Sequence, residues 1–253
     1  MSNPFASTAN TSGDKIGGET DRLGGFRVYD TDVYEATIKN AYAGKSDGGA
    51  SNMTFEVELA DGSKYSWVEW VTSGDAKGNL PYYINKQSGE KEYLPGFNRF
   101  NAIALMTAGK EPAALAFEEK HVKIYSHAAK AEVPTPVKVA VELLGKKILL
   151  GIEKHKVNKQ VKSGKQLANG KDEYVDGPEP REVNEVSKVF HFETRRTLQE
   201  AMAKEETGTF IDKWTEANKG KVKDKMKPVA GGAPAGAPGA GGGNDKPTTS
   251  LFS

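Results

Sequence analysis

The sequence predicts a mainly β fold of antiparallel strands joined by hairpins, and three observations carry that prediction. Apolar residues recur at every second position in the first half, as where Met53, Phe55, Val57 and Leu59 alternate with Thr54, Glu56 and Glu58. Short turn signals such as Asp61-Gly62 separate these stretches. Strands do not alternate with long helical periods, as the crossovers of a parallel sheet would require.

Taken in order, residues 33–42 read as a strand and Gly44 to Gly49 as a loop. Residues 53–59 form a half-buried strand, and a two-residue turn at Asp61-Gly62 leads into a strand from Ser63 to Thr72. That register pairs residue 58 with 65 and 55 with 68. Val68 and Trp70 then join Phe55 and Met53 on the core face, while Tyr65 and Trp67 project outward. A slip of one residue would bury both rings instead. Residues 80–95 read as a second hairpin with its turn at Gln87 to Glu90, and Phe97 to Ala108 as a short helix turning Phe97, Phe100, Ala104 and Met106 inward. Gly109 supplies its stop signal. Strands follow at His121 to Ser126 and Val137 to Leu144, then after Gly145-Lys146 at Ile148 to Val161, and again at Val183 to Arg195. A helical region containing Leu198, Ala201, Met202, Phe210, Ile211 and Trp214 closes the body. Such a set makes an antiparallel barrel or sandwich, and an OB-fold-like barrel with inserted short helices is the economical choice.

Residues 1–25 and 220–253 hold too few apolar side chains to offset the entropy of ordering, so disordered termini are expected around one domain at 26–219. The Gly/Ala/Pro-rich tail carries Leu251 and Phe252 near its end, which reads as a spacer presenting a recognition tip to a protein partner. No stretch approaches 18 consecutive apolar residues, and the N-terminus lacks a basic segment followed by an apolar run. A soluble, unexported protein with no membrane partner is the expectation. With no cysteine, disulfides, thiolate zinc sites and thiol nucleophiles are excluded.

The formal net charge is only +1, yet nine lysines between Lys138 and Lys171 face only Glu142 and Glu153, a local excess of +7. Such a strip can follow a phosphate backbone, and Lys154, Lys156 and Lys162 share strand parity within it. The alternative is a solvated strand face, since lysine commonly blunts sheet edges. Aromatic residues interleave with cations in the second hairpin, where Tyr82, Tyr83 and Tyr93 alternate with Lys86 and Lys91. With Tyr65 and Trp67 these make a candidate surface for stacking bases of a single strand. Packing of the same rings beneath a loop is the competing arrangement.

Catalytic signals are weak. His121, His127, His155 and His191 fall at no metal-ligand spacing, and HExxH and GxGxxG are missing. Ala43-Gly44-Lys45-Ser46 resembles the end of a P-loop, but Lys39 occupies the required upstream glycine position. The expectation is a non-enzyme without cofactor or metal.

The run Tyr82-Tyr83-Ile84-Asn85-Lys86, Gly89-Glu90-Lys91 and Tyr93-Leu94-Pro95-Gly96-Phe97-Asn98 resembles a family of bacteriophage single-stranded DNA-binding proteins. The similarity extends through Tyr34 to Lys39, Ala41 to Ser46 and the tail ending in Ser250-Leu251-Phe252. It implies an OB-fold core that coats single-stranded DNA during phage replication and recombination in the host cytoplasm. It also implies recruitment of replication or recombination proteins through the tip. The tail departs from the acidic tails of many single-strand binders, because residues 219–253 hold six lysines and only Asp224 and Asp245. The alternative function is a structural or assembly protein of the virion.

Overall fold

The computed structural model describes residues 27–126, 128–167 and 170–229. The expected N-terminal arm and the Leu251-Phe252 tip lie outside the described residues. Within them the fold is mainly β, with antiparallel ladders and three short helices.

The organising strand is β1 (Asp32–Lys45), longer at both ends than its sequence pattern suggested. One edge pairs along most of its length with β2 (Ser51–Leu59). The other edge pairs first with β8 (Lys147–Gln166) and then, at Tyr42 and Ala43, with β7 (Ala131–Ala140). A bulge at Lys39 allows this change of partner. Ile38 faces Val57 and Asn40 faces Glu56, so the strand bends while Ala41 returns to the buried side.

After β2 the chain turns into β3 (Lys64–Trp70). The turn holds three residues rather than the expected two. Leu59 N–H donates to the Ser63 carbonyl at 2.8 Å, Gly62 N–H donates to the Leu59 carbonyl at 2.9 Å, and Gly62 sits at φ 79°. This is a type I turn closed by a left-handed glycine. One extra turn residue shifts the ladder by one and moves every β3 side chain to the opposite face. Tyr65, Trp67 and Glu69 therefore stand opposite Val57, Phe55 and Met53 on the core side, and Val68 and Trp70 stand opposite Thr54 and Asn52 on the outer side. Trp67 stacks on Phe55 with ring centroids 5.0 Å apart, and burial pushes the Tyr65 phenol well above its ordinary pKa.

A separate hairpin of β4 (Tyr82–Ile84) and β5 (Lys91–Tyr93) follows, and α1 (Pro95–Ala108) begins directly after it. Pro95 starts the helix, and Gly109 ends it at φ 67°, as its sequence position implied. Phe100, Ile103 and Ala104 enter the main core with Phe55, Ile38, Leu150 and Ile152. Each such fully buried large apolar side chain contributes about 1.5–3 kcal/mol. Gly96 sets how closely α1 approaches the sheet, since a Cβ there would lie 2.3 Å from the Trp70 carbonyl oxygen. Gly96→Ala is expected to force helix and strand apart and to destabilise the protein by about 1–3 kcal/mol in urea unfolding.

Between α1 and β8 the chain forms a further hairpin, β6 (Phe117–Ser126) with β7. The strand expected from Val137 to Leu144 starts earlier and stops sooner. It runs through Pro134 and Pro136, and Val141–Leu143 is a 3-10 turn. The two prolines alternate, so both ring nitrogens turn to the edge that β6 does not use. Tyr42, Val122 and Val139 form a small core that fastens this hairpin to β1.

β8 and β9 (Asp172–His191) make a hairpin of 20-residue strands, far longer than the sequence pattern indicated. Its outer face is covered by α3 (Phe210–Asn218), whose Ile211 and Trp214 pack on Leu149 and Phe190. α2 (Leu198–Met202) precedes α3. The chain then pairs β10 (Val222–Asp224) in parallel with Lys154 to Lys156 of β8. Strand pairing thus continues past residue 220, where the tail was expected to start. The expected barrel is also not closed among the described residues, because β3 and β9 share no ladder.

Candidate nucleic-acid interface

The reversed register decides which aromatic ring of β3 meets solvent. Trp70 is 49% exposed and Val68 46%, both on the outer face of the β2–β3 ladder. The same face carries Lys64 and Ser66, and beside it a groove of about 860 Å3 runs beneath the β6–β7 hairpin, where His121 and Lys123 add polar and basic groups. Two of its carboxylates, Glu56 and Glu58, are already engaged. Glu56 accepts from Asn40 Nδ2 at 2.7 Å and from the Tyr42 hydroxyl at 3.3 Å, and Glu58 pairs with Lys39 at 3.2 Å. Tyr65 and Trp67, expected on this face, belong to the core side.

The β4–β5 hairpin leads directly into α1, whose Gly96 packs against the Trp70 backbone. Tyr83 and Tyr93 are each about half exposed. Tyr93 stacks on Phe97 at 5.1 Å and meets Tyr82 edge-on at 5.7 Å, while Lys91 Nζ lies 4.6 Å from the centre of the Tyr82 ring. These contacts hold the rings in fixed orientations and leave faces available. The Tyr83 hydroxyl donates to Glu92, which draws Tyr83 toward β5. Lys86 lies exposed in the turn. Thus Tyr82, Tyr83, Lys86, Lys91 and Tyr93 are brought together as one aromatic knob whose two lysines stand beside Glu90 and Glu92.

The lysine strip is arranged differently from its sequence appearance. Lys154 lies between Asp30 and Glu182, 3.3 Å from each, with its side chain only 18% exposed. Lys156 faces Asp224 at 3.9 Å, Lys159 faces Glu179 at 2.8 Å and Lys162 faces Asp172 at 2.5 Å. The local excess of positive charge is therefore compensated by carboxylates that the fold delivers from β9, β10 and the approach to β1. Exposed pairs of this kind stabilise little, but they lower the free positive potential of the strip.

Between these lysines a buried polar network fastens β10 to the hairpin. His155 Nε2 is 2.9 Å from Glu153 Oε2 and its Nδ1 is 3.2 Å from Glu185 Oε2. Lys223 Nζ donates to Glu153 Oε1 at 2.7 Å, and Lys225 pairs with Glu185 at 3.0 Å. Burial pushes the Glu153 carboxyl up, but hydrogen bonds from Lys223 and His155 outweigh it and hold it below its ordinary value. This is a structural use of histidine. Among the described residues no three His, Cys, Asp or Glu side chains are grouped to hold a metal ion.

Trp70 is the residue that sequence reasoning assigned to the wrong face. The signal that could have found it lies in Ala60-Asp61-Gly62, because a glycine after Asp also serves a three-residue loop with a left-handed third position. No family model matches the chain, and no curated protein matches it.

Proposed function

We propose that this protein binds single-stranded DNA without reading its sequence, through the outer β2–β3 face and the β4–β5 knob. The observation that carries this reading is the set of exposed rings on consecutive elements, Trp70 on the outer face of β3 and Tyr83 and Tyr93 on the β4–β5 hairpin, with Lys86 and Lys91 interleaved on that hairpin. Aromatic faces accept any base by stacking, and adjacent cations follow the backbone. Connectivity supports it. β1 holds both β2 and β8, and the order β1, β2, β3, α1, β8, β9 is that of an OB barrel with β6–β7 inserted and its last seam, β3 to β9, open. OB folds bind oligonucleotides over this strand 2–3 face. The resemblance to phage single-strand binders supports a role in coating DNA during replication and recombination, with Leu251 and Phe252 as the partner tip.

The test is fluorescence anisotropy of a labelled oligo-dT, repeated with duplex DNA and at several salt concentrations. Salt-dependent binding that prefers the single strand is expected, and no binding at low salt overturns the proposal in favour of a virion assembly role. The slope of log affinity against log salt locates the backbone contacts. Lys86→Ala and Lys91→Ala are each expected to reduce it by about 0.7, as one phosphate contact fewer releases fewer counterions. Lys154→Ala is expected to leave the slope unchanged, because its ammonium is held by Asp30 and Glu182.

A further inference from the structure

The open seam between β3 and β9 is a slot of about 290 Å3. Tyr65, Trp67 and Glu69 line it from β3, Arg99 from α1, and Arg181 and Val183 from β9. Glu69 is 1% exposed. Its Oε1 accepts from Trp67 Nε1 at 2.9 Å and from Arg99 Nε at 2.7 Å, while its Oε2 has no hydrogen-bond partner among the described residues. A buried acceptor left unmet costs about 1–3 kcal/mol, and more when it is charged.

The chemistry of the slot restricts what completes it. Burial pushes the Glu69 carboxyl up, and the hydrogen bonds from Arg99 and Trp67 oppose it; in its ionised form it only accepts, so the group that completes Oε2 then donates a hydrogen. A phosphodiester carries no hydrogen to offer that oxygen, and Glu185, whose negative charge also bears on Glu69, lines the same slot. Two aromatic side chains on the β3 side, stacked at 5.7 Å, favour a flat guest, and the volume lies at the small end for organic ligands, enough for one heterocycle. The slot opens along the free edge of β3, the strand that carries Trp70 on its outer face.

We propose that this slot is a recessed pocket for one nucleobase of the bound strand, entering edge-on and donating a ring N–H or exocyclic amine hydrogen to Glu69 Oε2. The inference rests on the single-strand-binding reading and deepens it. Each natural base carries at least one such N–H on its pairing edge, so a pocket that demands a donor remains indifferent to sequence.

The test compares oligo-dT with an oligomer of N3-methylthymidine of the same length, which keeps ring, charge and stacking face but lacks the N–H. Wild-type protein is expected to bind the methylated strand about tenfold more weakly, the loss of one hydrogen bond to a charged acceptor. Glu69→Gln, whose amide places a donor at that position, and Val183→Phe, which fills the slot from β9, are each expected to bind both strands within about twofold of one another. Equal wild-type affinity for the two strands overturns the pocket while leaving single-strand binding intact, and so does full discrimination by both variants. Failure to bind oligo-dT at all overturns the pocket together with the reading beneath it.

Discussion

Trp67→Ala is expected to destabilise the fold by about 3 kcal/mol, whereas Trp70→Ala, three residues along the same strand, leaves stability nearly unchanged and weakens oligo-dT binding by about 1–3 kcal/mol. The contrast follows from the register. Trp67 stacks on Phe55, which is fully buried, and donates its indole N–H to Glu69, so truncation opens a cavity beneath the main core and removes a partner from a buried carboxylate. Trp70 packs little and spends about half its surface in solvent. Urea midpoints and anisotropy on both variants check the assignment. A stable Trp67→Ala protein that no longer binds, beside a Trp70→Ala protein that binds normally, would restore the two-residue turn and its opposite face.

The second large effect is expected at Glu200, where substitution by Gln costs on the order of 3 kcal/mol. One carboxylate serves two helices. Its Oε2 accepts from the Thr197 backbone N–H at 2.8 Å, completing a capping box in which the Thr197 hydroxyl accepts from the Glu200 N–H. Its Oε1 accepts from the Thr209 and Phe210 N–H groups at 2.8 and 2.7 Å, supplying α3 with the cap that the Thr209 side chain does not provide. Burial alone would raise this carboxyl, but the backbone donors at Thr197, Phe210 and Thr209 override it and bring it down to about 2. The folded pKa is below the unfolded value near 4.3, so the contribution is complete above the unfolded value and lost as pH falls toward 2. Wild type is therefore expected to lose stability relative to Glu200→Gln between about pH 5 and pH 2 in urea titrations. A constant difference across that window would remove the carboxylate's charge from the explanation.

Local pattern and chain topology contributed differently to what could be read. The alternation of Met53, Phe55, Val57 and Leu59 states which side of β2 is buried without reference to any neighbour, and all four are buried. Phe100 and Ala104 with Gly109 likewise specify the inward stripe and end of α1, although Ile103, fully buried, was not anticipated. β3 is different. Its Tyr-Ser-Trp-Val-Glu-Trp run carries large apolar groups on both parities, so its own sequence is compatible with either face, and one residue in the turn decides. The same holds for the lysine strip, where the carboxylates that compensate Lys154, Lys159 and Lys162 arrive from strands distant in sequence.

The sequence by itself determined that the chain is mainly β, where the hairpins around Asp61-Gly62 and at residues 80–95 and the main helix lie, and that aromatic residues interleave with lysines around residues 82–93. Those properties depend on periodicity and turn chemistry within a few residues. Only the tertiary structure decided that Trp70 rather than Trp67 meets solvent, that β10 continues the sheet past residue 220, and that the β3–β9 seam stays open around an unmatched Glu69 oxygen. Each of these depends on how one strand is registered or spaced against another, and the energies involved come from contacts that local sequence does not encode.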